Sequence, residues 1–295
     1  MKFTSLRVLL FTTLAAFGIW SCGSPSKEEN TDSEEFSSEE TLKDQIEDVM
    51  DNLPSPSEIP YLLQATGAEF NQSLVNDVKK VDQYTLKNDK AALNLGVYAA
   101  DIGYLSSYEK TQESITYMAT VKTLADKLGV IGSFDMSEME RFESNIANKD
   151  SLTSILDNSV KKTKDYLKDD SRDKLAALVL TGSFIEGLYI STGLIKSYPK
   201  NLLPDDSRNL VLTPLVRVIL EQEKSVDELI KMLGIVEQVD PITTIVADLT
   251  SLQASYRALD IEEQIKNNNA SLVLTDKNLV DITAIVEKMR KFITD

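Results

Sequence analysis

Histidine is absent from all 295 residues, which removes Ser-His-Asp and Cys-His catalysis, His-ligated zinc or iron, and any imidazole pH switch. Cysteine occurs once, at Cys22, so the chain has no internal disulfide and no Cys-x-x-Cys redox or metal motif. Tryptophan also occurs once, at Trp20, inside an apolar N-terminal run, which leaves only Tyr and Phe rings for stacking on a sugar. No Gly-rich phosphate loop and no Gly-x-Ser-x-Gly elbow is present. The expectation is a protein that is not an enzyme and carries no cofactor and no metal.

What is present begins with Cys22. It follows Lys2, Arg7 and an apolar run from Val8 to Trp20, and it precedes an abruptly polar, acidic stretch. A basic start, a short apolar core and a small residue at the boundary read as an export signal. Ile19 and Ser21 around that boundary resemble the lipobox of bacterial lipoproteins, from which the bulky Trp20 departs. That resemblance implies cleavage after Ser21, lipidation of Cys22 and attachment to the membrane through acyl chains, which together exceed what stable anchoring requires. Ser26-Lys27-Glu28-Glu29 is similar to the export signal of Bacteroidota surface lipoproteins, which implies the outer membrane, surface-exposed or periplasm-facing. Residues 23–40 hold seven acids, one lysine and one aromatic, too little apolar surface to fold. As a coil they would reach roughly 20–25 Å, and about 60 Å fully extended.

Without residues 1–21 the chain has 29 basic and 47 acidic residues, a formal charge of −18; from residue 41 onward the balance is 28 against 40, or −12. This excludes nucleic acid as a partner and disfavours anionic lipid surfaces. The expected partners are the membrane, through the N-terminal lipid, and an envelope protein.

The body reads as an all-α, multi-helix bundle. Helical periodicity covers 42–53, 60–67 and 73–85, then a long helix with Asn88 as its N-cap, 111–128 closed by Gly129, 137–148, 151–167 and 171–198. After a Leu-Leu-Pro-Asp-Asp loop come helices near 207–223, 225–234, 241–259 and 276–293, with 271–275 as an isolated strand-like stretch. Asp205-Asp206 in that loop lacks a calcium-loop pattern and reads as a turn.

An internal duplication is the strongest organisational signal. Residues 91–107 align with 176–192 at a constant offset of 85, placing Asp101-Ile-Gly-Tyr104 on Glu186-Gly-Leu-Tyr189. The next helix aligns at an offset of 105, with Leu128-Gly129 on Leu233-Gly234, and the second copy carries about 20 extra residues near 197–216. The expected organisation is N-terminal helices at 41–87 packed on two four-helix units, 88–168 and 173–294, related by a pseudo-twofold axis. These segments resemble helical lipoproteins of the same bacterial group, a resemblance that implies no activity.

Residues 175–195 carry a single charge, Glu186. On length alone this helix spans a bilayer, but a central charge costs about 3 kcal/mol there, and a buried bundle helix is the better expectation. Asp101 and Glu186 are the candidate functional acids, each with a tyrosine one turn later, Tyr104 and Tyr189. A buried carboxylate must be paired, hydrogen-bonded or protonated. The simpler expectation is that each acid is satisfied by its own tyrosine or a nearby backbone group. The alternatives are a receptor in which both acids face one cavity and hold a cation or an amine, and a hydrolase working through the two carboxyls alone.

Overall fold

The computed structural model describes residues 58–65, 67–130, 172–197, 205–259 and 277–295, with isolated positions within 44–53 and 141–162. Cys22, the acidic tether, segment 271–275 and most of the expected helices at 42–53, 137–148 and 151–167 lie outside the described residues. Every regular element among the described residues is helical. In chain order these are α1 (Glu58–Ala65), α2 (Val81–Tyr84), α3 (Asn88–Ser107), α4 (Thr111–Leu128), α5 (Asp173–Ser197), α6 (Asp205–Leu220), α7 (Glu223–Ile235), α8 (Ile242–Ala258) and α9 (Lys277–Thr294).

Two 3-10 turns, Gln72–Leu74 and Val78–Lys80, stand where the sequence suggested one helix over 73–85. The side chains of Asn71 and Asp77 accept backbone N–H groups two residues on, and these Asx turns compete successfully with helix formation. Asn88 is the first helical residue and not the N-cap; Lys87 holds the extended cap position without a side-chain bond. Helix α4 closes as expected. Gly129 has φ 75°, and its N–H and that of Val130 return to Asp126 and Ala125 carbonyls, a Schellman ending that suits glycine. Gly234, its partner in the sequence alignment, lies inside α7 instead. Asp205 and Asp206 open α6 and do not lie in a loop.

Helix α5 occupies the centre, with α1, α3, α6, α7 and α9 packed around it. It is the one described helix long and apolar enough to cross a membrane, and 78% of its most apolar window is buried within the protein. Its low amphipathicity therefore reflects neighbours on several sides. Helices α3 and α5 run parallel: Asp89 at the start of α3 pairs with Lys174 at the start of α5 at 2.8 Å, and Asp101 meets Glu186 just over three turns later. Helix α9 runs opposite to both, since Lys196 near the end of α5 pairs with Glu287 while Ile293 reaches Asn94 near the start of α3.

Glycines set the α3–α5 spacing. A Cβ on Gly96 would land on the Val179 carbonyl oxygen and 2.6 Å from the Ser183 nitrogen; one on Gly182 would land on the Leu93 carbonyl. Both obstacles are backbone, so relief requires moving a helix. Gly187 differs, because a Cβ there meets only the Ile59 Cδ1 at 3.5 Å. We therefore expect Gly96→Ala and Gly182→Ala each to cost about 3 kcal/mol or more in urea denaturation. Gly187→Ala should be neutral or stabilising by up to about 1 kcal/mol through helix propensity.

Candidate functional site: a buried acid pair beneath a tyrosine-pinned strap

Asp101 and Glu186 are both fully buried, brought together by the parallel register of α3 and α5. Their carboxyls lie against each other, and each affects the other's protonation. Glu186 is also gripped by Arg290 of α9, whose Nε lies 3.1 Å from Oε2 and whose Nη2 lies 3.2 Å from Oε1. This fork-to-fork geometry gives the strongest form of carboxylate pairing. The guanidinium rests over the Tyr189 ring, 4.5 Å from its centroid, so the ring face adds cation–π stabilisation.

Asp101 has weaker company. Its Oδ2 accepts the Asn76 backbone N–H at 3.1 Å, while its Oδ1 is buried without a donor. Burial, followed by the Glu186 charge, drives its carboxyl well above the ordinary range, and Arg290 and the Asn76 N–H only partly oppose this. Burial also raises Glu186, against the charge and hydrogen bonds of Arg290 and the hydrogen bond from Asp101. Burial disfavours the Arg290 cation, but Glu186 outweighs it, and the guanidinium stays charged.

The segment 67–80 passes over Asp101 as a mostly non-helical strap, so its backbone groups need partners from elsewhere. Tyrosines supply them. Tyr108 Oη donates to the Ala68 carbonyl at 2.7 Å, Tyr98 Oη to the Asp77 carbonyl at 2.9 Å, and Tyr117 Oη to the Asn76 carbonyl at 2.6 Å. Tyr104 Oη accepts the Asn71 N–H at 2.8 Å. The rings stack in two groups, Phe70–Tyr104–Tyr108 and Tyr84–Tyr98–Tyr117. Burial pushes the Tyr84 and Tyr104 hydroxyls up to about 12, so they act as neutral hydrogen-bonding groups. Tyr84 Oη also donates to the Thr294 carbonyl at 2.8 Å, and Lys80 Nζ reaches the same oxygen at 3.0 Å. Asn94 Nδ2 takes the Ile293 carbonyl. The free carbonyls at the end of α9 are thus capped by α2, α3 and the strap.

The structure unites three of the four candidate residues and separates the fourth. Asp101, Glu186 and Tyr189 meet through Arg290, whereas Tyr104 serves the strap. Neither acid bonds its own tyrosine; Asp101 takes a backbone N–H, from Asn76, as the simpler expectation allowed, while Glu186 takes the Arg290 guanidinium. The Arg290 guanidinium stands where the receptor reading put an external cation or amine. Asn76, Tyr117 and Arg290 were not singled out from sequence. For Arg290 a signal existed: it lies beside Val286, Met289 and Ile293 on the buried face of an amphipathic helix. Among the described residues no group of three or more Cys, Asp or Glu side chains is placed to hold a metal.

No protein-family model matches this chain, and no curated protein or solved structure matches it. The class defined by fold and site is an all-helical bundle built around a buried acid–acid–arginine triad.

Removing one partner of a buried charge pair strands the other. Arg290→Met should cost about 3–5 kcal/mol in urea unfolding, and Arg290→Lys should recover only part of that, because a point charge cannot bond both Glu186 oxygens. Arg290→Met as stable as the wild type would contradict an ionised, arginine-paired Glu186.

Proposed function

We propose that the protein is an outer-membrane lipoprotein, anchored through Cys22, whose helical body serves as a non-catalytic binding or scaffold component of the cell envelope. The observation that carries the second half of this reading is the burial of the acid pair. Asp101 and Glu186 are sealed from solvent, and the cation that pairs with them is an arginine of the same chain. Such a site offers a substrate neither access nor an open carboxylate, so binding falls to the outer surface of the bundle. That surface carries the net negative charge of the body, which suits a protein partner better than nucleic acid.

The first half of the reading rests on sequence: Ile19, Ser21 and Cys22 at the signal boundary, followed by the Ser-Lys-Glu-Glu stretch and an acidic tether. The tether holds the bundle off the bilayer, and the apolar α5 belongs to the bundle core and not to the membrane.

We also read the body as an internal duplication. Two pairs of side chains in contact, Asp89 with Lys174 and Asp101 with Glu186, are both separated by 85 residues, the offset of the sequence repeat. Contacts between equivalent positions along parallel helices are what a pseudo-twofold axis running along α3 and α5 would produce. The extra residues near 197–216 of the second copy coincide with most of α6.

The anchor is tested by expressing the full chain in a bacterium with an outer membrane and feeding an alkyne fatty acid. The wild type should be labelled and sediment with outer membranes, and Cys22→Ala should be unlabelled and released. An unlabelled wild type would refute the anchor. Native mass spectrometry tests the body: a small-molecule or cation adduct that Glu186→Gln abolishes would overturn the scaffold reading in favour of a receptor.

A further inference from the structure

We propose that Asp101 and Glu186 share one proton in the folded protein, held between Asp101 Oδ1 and the Glu186 carboxylate, and that this proton makes the α3–α5–α9 junction a pH-sensitive latch. Three observations carry this. The two carboxyls are both fully buried and lie against each other, and ionised carboxylates only accept, so their contact is favourable only with a proton between them. Asp101 Oδ1 is buried and has no other donor, a costly state that the proton removes. Finally, the triad contains a single cation, and Arg290 directs Nε and Nη2 to Glu186. One guanidinium balances one carboxylate. The same asymmetry places the proton on Asp101, since Glu186 has two charged hydrogen bonds to keep it ionised and Asp101 has one backbone N–H.

Among the described residues, the groups around Asp101 offer no second counter-charge. The groups facing Asp101 are Glu186 from α5, Arg290 from α9, Tyr98 from α3 and Tyr117 from α4, with Asp77 and Tyr84 nearby on the strap side. Only Arg290 is cationic. An unprotonated Asp101 would face Glu186 as a like charge across the helix seam, the arrangement in which two carboxyls hold one proton between them.

The sign of the pH dependence follows. Asp101 binds its proton more tightly in the folded protein than in the unfolded chain, where it titrates at about 3.9. Below that pH both states are protonated and the contribution is fully present. As pH rises, the unfolded chain releases the proton and the folded one does not, so stability falls tenfold in the unfolding constant per pH unit (about 1.4 kcal/mol). The fall ends once pH passes the raised folded-state value. The seam therefore tightens as the medium acidifies and loosens under alkali, beneath the strap that Asn76 ties to Asp101.

The experiment compares purified full-length wild type with Asp101→Asn, whose amide can donate to Glu186 and accept from Asn76 at every pH. Urea unfolding from pH 5 upward should show the ratio of wild-type to variant unfolding constants climbing up to tenfold per unit. The infrared spectrum of the folded wild type at neutral pH should contain a protonated-carboxyl C=O band that shifts on carboxyl-¹³C aspartate labelling. That band needs no variant, so it decides the matter even if Asp101→Asn does not fold. A pH-independent ratio, or folded wild type without an aspartate-dependent protonated band, overturns the proposal.

Discussion

The structure depends on how closely the backbones of α3 and α5 approach. Gly96 and Gly182 lie where any side chain would strike the opposite main chain, and the two helices run in parallel register from Asp89–Lys174 to Asp101–Glu186. Close approach excludes water from the seam, and exclusion of water gives the acid pair its unusual character. A carboxyl pair at a looser seam would be hydrated and ordinary. Here the third helix must deliver a guanidinium to the same spot, so the position of α9 is tied to the α3–α5 contact.

A second dependence runs through the strap. A non-helical segment over a buried core leaves peptide groups unsatisfied, and the tyrosines of α3 and α4 meet that need from below. Tyrosine suits the task because its ring adds apolar burial while its hydroxyl reaches one backbone atom. Asp101 joins this set through the Asn76 N–H, so one residue belongs to both the strap network and the charged triad. The strap, the seam and the end of α9 consequently meet within a few residues of one another. The peripheral pairs, such as Lys122–Asp126 on α4, are exposed and contribute little by comparison.

Much of the fold was legible in the sequence, for identifiable reasons. Gly129 after an amphipathic run signals a helix end, and α4 stops there. The near-absence of charge from 175 to 195 signals burial on several sides, and α5 is central. The strap was not legible as such, since Val75, Val78 and Val81 have helix-like spacing while Asn71 and Asp77 favour turns, and local hydrogen bonding prevailed. At the site, periodicity identified Asp101 and Glu186 as apolar-helix acids, and the offset of 85 hinted that they were related. Arg290 supplies their charge from more than one hundred residues away, and no local pattern encodes that meeting. Tyr104 and Tyr189 occupy equivalent positions in the alignment yet differ in role, one holding backbone and the other stacking under a guanidinium.

The central claim is that the α3–α5 seam is the most cooperative part of the molecule. Native-state hydrogen exchange, resolved by residue, tests it most directly. Amides around Gly96 and Gly182 should exchange only through global unfolding and outlast those of α7 and α8. Earlier exchange along the seam, while α7 and α8 remain protected, would contradict it.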